Sequence, residues 1–383
     1  MLTVNTVSNK SLNYDVVVIG AGIAGIMLTK KLAQLGFKIC LIEKADTLAS
    51  GPSTRNEGWL HRGTYHALSI PDRSTAIQVA KRNIYGYEQI SRYAPEAIDD
   101  IGLPSYAVMR NPEGIREALS RWDEAGVYYR HLTRSQIGAK VPELKMSNST
   151  EVFEVKDVGI NTRILYRRLV SDAKRAGATI YKNSCIMFGN EDACTLCVEG
   201  QSPIPLQARL FVHTVGYGLK RCFENHFGIP IQGRYWKSHL LVTHRLSEHS
   251  IFSVEPEEAA LMNHQNYSIV GLNEDAFLCS EPNYEVVSSK VDIILESLHR
   301  LFASFVTPEY YPVACIKADV VVENSLARSL NVNIMEPRAG HICALPGKMT
   351  EAPYLTDALT QIVYEKLDDE EIAERPLDIW RKS

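Results

Sequence analysis

The chain has 383 residues, 45% hydrophobic and 22% charged, with a formal net charge of −4 at pH 7. These values are typical of a globular protein and argue against a nucleic-acid-binding protein, which neutralises phosphates with an excess of Lys and Arg. No apolar run reaches the ~20 residues needed to cross a bilayer, and no charged region followed by an apolar core opens the chain. We therefore expect a cytoplasmic protein without an integral membrane segment, built as two domains or one large domain with insertions; the oligomeric state stays open.

Eight cysteines are scattered along the chain, too few for a disulfide framework at this length. Cys194 and Cys197 form one CxxC pair within ACTLCVEG, which is typical of a strand, and no second pair or His pair lies nearby. We expect reduced thiols and no metal site.

Residues 15–43 have the pattern of a dinucleotide-binding βαβ unit. A short β-branched run, Val16–Ile19, predicts a buried strand, and Gly20, Gly22 and Gly25 follow at GxGxxG spacing. Gly20 allows the tight turn, Gly22 lets a pyrophosphate approach the backbone, and Gly25 lets the helix pack on the strand. The unit is a strong indication of a dinucleotide site.

The second half of the unit agrees with the first. A helix is predicted from Ile23 to Leu35, with its positive N-terminus toward the phosphates, and a strand from Lys38 to Ile42. Glu43 ends that strand, where an acid accepts a hydrogen bond from an adenosine ribose and repels a 2′-phosphate. The unit alone does not separate NAD from FAD. Its predicted binding residues are Gly20, Gly22, Ile23, Ala24, Gly25, Glu43 and Lys44.

Three later segments are candidates to return to this site. VGINTRILYRRLVSDAKRAGA, residues 158–178, predicts a helix that ends at a glycine, and ARLFVHTVGYGL, residues 208–219, predicts a strand that runs into Gly216 and Gly218. In the C-terminal run a strand over His341–Leu345 leads to Gly347 and to Thr350 at a helix N-terminus, which favours an anionic or electron-rich ligand atom.

The βαβ unit, the two segments quoted above and PGKMTEAP in the C-terminal run recur in this order in FAD-dependent oxidoreductases of the D-amino-acid oxidase superfamily. The chain resembles this superfamily from about residue 14 to 365. Residues 51–66, GPSTRNEGWLHRGTYH, are most similar to the L-2-hydroxyglutarate and glycerol-3-phosphate dehydrogenase branch. The resemblance implies an α/β fold with a Rossmann-like FAD-binding domain of the glutathione-reductase type and an α+β substrate-binding cap.

The same resemblance implies domain bounds. Residues 1–92, 155–225 and 330–383 form the FAD-binding domain, and residues 93–154 and 226–329 form the cap. A helix over 286–302 is predicted to pack through one apolar face, and the acidic run at 367–374 is interpreted as a solvated tail.

By resemblance, the segment at 51–66 runs along the pyrophosphate onto the flavin ring. FAD contacts are therefore expected from Thr54, Arg55, Asn56, Gly58, His61, Gly216, Gly218, Gly347, Lys348, Met349 and Thr350. His61 has three readings: a base or substrate contact, a covalent flavin attachment, or a structural imidazole beneath the ring. A histidine of ordinary pKa ~6.5 suits the base.

Four side chains are the catalytic candidates implied by the resemblance: His61, Arg62, Tyr235 and Lys317. Lys317 stands where the family often has an Arg that clamps a substrate carboxylate, although Lys cannot form the planar fork. Glu57 and Arg62 replace commoner small residues. Lys348 is expected near flavin N1/C2=O; an exposed lysine is the alternative at 317 and at 348.

The predicted reaction removes a hydride from a CH–OH carbon of a small, anionic 2-hydroxy acid or polyol-like substrate to flavin N5. The alternative is an amine or amino-acid oxidase of the same fold that uses oxygen. A monooxygenase is disfavoured because Gly347 is followed by Lys348 and not by Asp. A non-catalytic dinucleotide-binding protein is a further alternative. Substrate identity, electron acceptor and stereochemistry do not follow from the sequence.

Overall fold

The computed structural model describes residues 11–99, 102–189, 193–273, 276–321 and 328–367. The acidic run predicted as a tail, from 368 onward, lies outside these residues. Within them the strands are β1 (Leu12–Ile19), β2 (Ile39–Ile42), β3 (Trp59–Leu60), β4 (Ser105–Met109), β5 (Tyr129–His131), β6 (Glu151–Val155), β7 (Val158–Gly159), β8 (Thr179–Tyr181), β9 (Ser184–Phe188), β10 (Cys194–Val198), β11 (Ile204–His213), β12 (Gly233–His244), β13 (Ile251–Ser253), β14 (Ala259–Asn263), β15 (Tyr267–Leu272), β16 (Phe277–Cys279), β17 (Tyr310–Val320), β18 (Asn333–Arg338) and β19 (His341–Leu345). The α-helices are α1 (Ile23–Gln34), α2 (His66–Ser69), α3 (Arg73–Tyr93), α4 (Pro112–Ala125), α5 (Arg134–Lys140), α6 (Thr162–Arg175), α7 (Leu219–Phe227), α8 (Ser288–Leu301) and α9 (Ala352–Leu367).

The first sheet has a parallel centre. Its strands run in the order β18-β19-β11-β1-β2-β8, all parallel except β18, and the β9–β10 hairpin joins the start of β11. Side chains on both faces of β1 and β2 are buried, which explains why these strands read as continuous apolar runs. Helices α1, α6 and α9 share one hydrophobic core with this sheet.

The second sheet is mostly antiparallel. Its order is β16-β12-β15-β14-β13-β4-β6-β5, and β17 pairs with β12 along its whole length, from Val320 opposite Gly233 to Tyr310 opposite Thr243. The apolar face of α8 is buried against this sheet through Val291, Ile294, Leu298 and Leu301, the face expected from its periodicity.

A two-stranded ribbon links the two halves of the fold. β3 pairs antiparallel with β7, so the segment around Trp59 runs beside the segment around Val158. The ribbon brings residues 57–63, which follow the first βαβ unit, next to residue 157, at the entrance to α6.

The predicted fold class, a mixed α/β protein with a Rossmann-like unit, is confirmed. The strands of the first sheet fall in the three segments predicted for FAD binding, and those of the second sheet fall in the predicted cap segments except at Val155; the domain bounds themselves stay a prediction. Over the described ranges, no helix is both long and apolar enough to cross a membrane.

Candidate functional site

A long cleft opens where the parallel strands of the first sheet end. Gly20 follows β1, Glu43 follows β2, Thr214 follows β11 and Gly347 follows β19, and all four line it. Ligands bind at such carboxyl ends in open α/β sheets. The cleft holds about 1320 Å³ of space, counting its mouth. Its lining joins residues of the first βαβ unit to the segment that follows β19, which suits an extended ligand.

The glycines form the turn predicted for them. Gly20 has φ +98°, and a Cβ atom there would lie 2.8 Å from the carbonyl oxygen of Thr214. A Cβ atom at Gly25 would overlap the carbonyl oxygen of Gly20, so only glycine lets α1 pack this closely on the turn. At the start of α1 the backbone N–H of Ile23 donates to Ser53 Oγ at 3.1 Å. Ser53 is a cleft residue that sequence reasoning missed.

The carboxylate of Glu43, directly after β2, is held in place by backbone hydrogen bonds. Its two carboxylate oxygens accept hydrogen bonds from the N–H groups of Ala21, at 2.8 Å, and Ala45, at 3.0 Å. The carboxylate is buried but lines the long cleft, the position expected for an acceptor of a ribose hydroxyl.

His61 stands next to a buried carboxylate. Its Nδ1 lies 3.5 Å from Oδ1 of Asp157, which is fully buried. The backbone N–H of Arg62 donates to Oδ1 at 2.9 Å, and the hydroxyl of Thr64 donates to Oδ2, so Asp157 is held from two sides. The backbone N–H of His61 donates to the hydroxyl of Thr350 at 3.2 Å, and His61 lines the cleft.

The charge state of His61 follows from this surrounding. Burial is the largest influence and lowers the pKa of His61 below its ordinary value; Asp157 opposes the shift and Lys348 reinforces it. The imidazole is therefore neutral at pH 7. Nδ1 is buried without a hydrogen-bond partner among the described residues, and Asp157 is the carboxylate it faces. With a proton on Nδ1, Nε2 would be the nitrogen that can accept a proton.

A cluster of three cations lies beside His61. Lys317, Arg328 and Lys348 line the cleft together with Glu57. Burial and the charges of Arg328 and Lys317 lower the pKa of Lys348 to about 7. The positive charge of Lys317 lowers the pKa of Glu57 although burial opposes that shift, so the carboxylate is ionised. Three cations against one carboxylate make this part of the site attractive to an anionic group.

A second cavity, the side chamber, meets the long cleft at this cluster. Six residues line both: Glu57, Trp59, His61, Lys317, Arg328 and Lys348. The side chamber extends between the ribbon and the second sheet, past Tyr65, Trp236, Ser238 and Phe252. A ligand in the cleft and a second ligand in the chamber would thus meet at His61.

The structure brings thirteen of the predicted site residues to these cavities and leaves eight off their linings. On the linings are Gly20, Gly22, Ile23, Ala24, Glu43, Lys44, Asn56, His61, Gly216, Lys317, Gly347, Lys348 and Met349. Off them are Gly25, Thr54, Arg55, Gly58, Arg62, Gly218, Tyr235 and Thr350.

Three residues off the linings have evident local roles instead. Arg55 is exposed and its guanidinium lies 4.6 Å from the ring centre of Tyr284. Thr54 donates its hydroxyl to the carbonyl oxygen of Ala49 at 2.6 Å. Tyr235 is buried on β12 and, because side chains alternate along a strand, faces away from its chamber-lining neighbour Trp236.

Several residues of the site carry no recognisable signal in the sequence. Arg328, Trp236 and Ser238 line the cavities and Asp157 lies next to His61, but nothing in the local sequence marks them, and only the fold brings them together. Glu57 could be noticed only as an unusual residue in an otherwise familiar segment. Among the described residues no cluster of His, Cys, Asp or Glu could hold a metal ion.

The residues present fit an extended dinucleotide. Gly22 leaves the start of α1 open to the cleft, and Glu43 adds a carboxylate to its lining. Arg328 Nε, on the same lining, is buried without a hydrogen-bond partner among the described residues. A dinucleotide-dependent oxidoreductase is the class that this fold and site define.

Comparison with known proteins gives the family. The chain belongs to the DAO family of FAD dependent oxidoreductases, whose model matches residues 15–331. FAD is the cofactor of this family. The residues named above for the cleft are those that would hold it.

Curated relatives match only part of the chain. An alpha-glycerophosphate oxidase of Enterococcus casseliflavus is 28% identical over 144 residues, which are 35% of this chain and 23% of that protein. A probable FAD-dependent oxidoreductase of Pseudomonas aeruginosa is 36% identical over 59 residues, which are 15% of this chain and 15% of that protein. The chain therefore spans less than a quarter of the length of either relative.

Solved structures share the fold over nearly the whole chain. Glycine oxidase from Geobacillus kaustophilus has a TM-score of 0.70 and 18% identity, with 93% of this chain and 95% of that chain covered. The FAD-bound L-alpha-glycerophosphate oxidase from Mycoplasma pneumoniae has a TM-score of 0.76 and 14% identity, with 92% and 94% covered. At these identities the likeness shows the fold alone.

Proposed function

We propose that this oxidoreductase acts on the CH–OH carbon of a small anionic substrate, of the 2-hydroxy acid or polyol type, bound in the side chamber. The observation that supports it best is the position of His61. It lines both cavities, it is neutral, and its Nδ1 faces the buried carboxylate of Asp157. A neutral base at the meeting point of cofactor and substrate is what alcohol oxidation requires.

The roles of the protein groups follow from their charges. Bound FAD supplies the acceptor for the hydrogen and electron pair that leave the substrate carbon. His61 Nε2 accepts the hydroxyl proton, and Asp157 stabilises the imidazolium that this transfer creates. Lys317 and Arg328 hold the anionic group of the substrate, and Lys348 offers positive charge to the reduced cofactor.

Matched substrate pairs test the reaction type. Each 2-hydroxy acid is compared with the 2-amino acid of the same side chain, and the 2-keto acid and ammonia formed are measured. Keto acid without ammonia, from the hydroxy acid of each pair, is the expected result. Ammonia released in equal amount with keto acid from the amino acid, and no turnover of the hydroxy acid, would contradict the proposal.

An amine or amino-acid oxidase is the second candidate, and Glu57 favours it. This ionised carboxylate lines both cavities, where it could receive a substrate ammonium group. Glu57→Gln separates the two: loss of Glu57 should abolish binding of an amine substrate, whereas an alcohol substrate keeps its base, His61. We prefer the alcohol because the positive charges of Lys317 and Lys348 already balance the negative charge of the ionised Glu57 carboxylate.

A further inference from the structure

We infer that the substrate is an amphipathic carboxylate, a 2-hydroxy acid with an aromatic or similarly bulky apolar side chain, and that Trp236 and Ser238 select its carboxylate. This inference rests on the proposed function and names the substrate class for the same site. Its support is the lining of the side chamber, which has a wall of hydrogen-bond donors and a wall of aromatic rings.

The donor wall is created by the pairing of β12 with β17. Trp236 lies directly opposite Lys317, and Ser238 lies directly opposite Cys315. Paired residues of antiparallel strands point to the same face, so the indole, the serine hydroxyl and the lysine ammonium group share one side of the sheet. Trp236, Ser238 and Lys317 all line the chamber.

These donors are buried and lack partners. Trp236 and Ser238 are each 5% exposed, and neither Trp236 Nε1 nor Ser238 Oγ has a hydrogen-bond partner among the described residues. The same holds for Ser69 Oγ and Arg328 Nε on the chamber lining. Buried polar groups in native proteins are ordinarily hydrogen-bonded, so several orphaned donors around one chamber indicate a ligand that satisfies them.

The chemistry of the donors restricts that ligand. The indole N–H and the guanidinium N–H can only donate, and the ammonium of Lys317 has no acceptor. The group they receive must therefore be rich in acceptor oxygens and negatively charged. A carboxylate meets both conditions with two oxygens and about four acceptor sites.

The aromatic wall restricts the rest of the ligand. The ring centres of Trp59 and Phe252 are 5.3 Å apart in an edge-to-face arrangement, and the ring of Tyr65 lies 6.4 Å from that of Phe252. All three line the chamber, together with Leu272. These rings pack within a hydrophobic cluster and expose one side to the chamber. A substrate of three carbons has at most a methyl group to place against that side, whereas a planar side chain can pack edge-to-face against it.

Three compounds test the class directly in the FAD-loaded enzyme. 3-Phenyllactate has both features, lactate lacks the ring, and 3-phenyl-1,2-propanediol lacks the carboxylate; both enantiomers of each are used. We expect kcat/KM for 3-phenyllactate to exceed that of either partial analogue at least about a hundredfold. Equal or higher kcat/KM for lactate or for the diol would overturn the inference and leave the proposed function standing. Failure of every hydroxy compound to reduce the cofactor would overturn the proposed function itself.

Binding without turnover tests the two named residues. 3-Phenylpropionate lacks the hydroxyl, and its binding to the FAD-loaded protein is followed by the change in the visible absorption of the flavin. Trp236→Phe keeps a ring and removes the N–H, and Ser238→Ala removes the hydroxyl. Each should weaken binding about tenfold, as expected for loss of one hydrogen bond to a charged group.

Controls keep this test decisive. Ser289→Ala removes a hydroxyl from the exposed face of α8 and should bind 3-phenylpropionate as the parent does. If Trp236→Phe does not fold, Ser238→Ala alone decides. Parent-like affinity in a folded Ser238→Ala protein would overturn the assignment of the donor wall.

Discussion

Two side chains from distant parts of the sequence, His61 and Asp157, meet at the site. The β3–β7 ribbon brings them together. Leu60 pairs with Val158 in antiparallel register, so the residue after Leu60, His61, lies beside the residue before Val158, Asp157. His61 could be predicted as a site residue from the segment that surrounds it. Asp157 could not, because its role depends on a pairing between strands of two residues each, which no sequence pattern specifies.

Asp157→Asn should lower kcat/KM at least tenfold, since an amide stabilises neither the imidazolium nor the correct tautomer. The pH profile distinguishes this from a structural defect. The carboxylate raises the pKa of His61, so its removal lowers that pKa further, and the acid limb of kcat/KM should move to lower pH. An unchanged acid limb would contradict the pairing. Asp292→Asn, on the exposed side of α8, is the control.

Lys348 should set the alkaline limb of the pH profile of kcat/KM. Burial and two neighbouring cations hold its pKa at about 7, so the positive charge that Lys348 offers to the reduced cofactor is present below that pH and lost above it. We expect kcat/KM to fall as pH rises above about 7. An arginine stays charged throughout, so Lys348→Arg should remove this limb, whereas Lys174→Arg, an exposed exchange on α6, should retain it. A limb that persists in Lys348→Arg would assign it to another group.

The elements of the β1–turn–α1 unit could be predicted, although the strand, predicted over Val16–Ile19, begins at Leu12. The predicted helix, Ile23 to Leu35, differs from the observed one by a single residue at its end, and the strand over His341–Leu345 is confirmed without change. These elements are determined by nearby residues, namely apolar runs, glycine turns and helix ends. The β12–β17 pairing is not local, so the sequence does not single out Trp236 and Ser238 and points instead to Tyr235, on the other face of β12.

Two glycines of this unit should fail in different ways when a methyl group is added. Gly25→Ala places a Cβ atom against the backbone of Gly20 and should destabilise the fold. At Gly22 the nearest atom to an added Cβ is Ser53 Oγ at 3.3 Å, so Gly22→Ala should fold but bind FAD at least tenfold more weakly, because the methyl group fills the phosphate approach.

Thermal unfolding and FAD titration of the same samples separate these effects. Gly138→Ala, in α5 with no atom within 4 Å of an added Cβ, should be neutral or stabilising for the fold and neutral for FAD. Unimpaired FAD binding in Gly22→Ala would show that the turn does not face the pyrophosphate.

At the scale of the whole molecule, the two sheets are placed so that the cavity of each opens onto the other. The first sheet carries the long cleft, the second forms much of the side chamber, and the two cavities share a lining at His61 and the three cations. Fold class and cofactor could be predicted because the motifs for FAD are local and ordered along the chain. The substrate chamber could not, since its lining combines residues from one predicted segment of the cap, 226–329, with residues from two of the predicted FAD-binding segments.

The most direct test of the account is an anaerobic absorbance scan of the FAD-loaded protein during addition of 2-hydroxy acids and, separately, of the matching amino acids. We predict that the flavin band near ~450 nm bleaches with the hydroxy acid and not with its amino counterpart. Bleaching by amino acids alone would contradict alcohol oxidation and move the assignment to amine oxidation. A protein that binds FAD but is bleached by neither would contradict the proposed chemistry at His61.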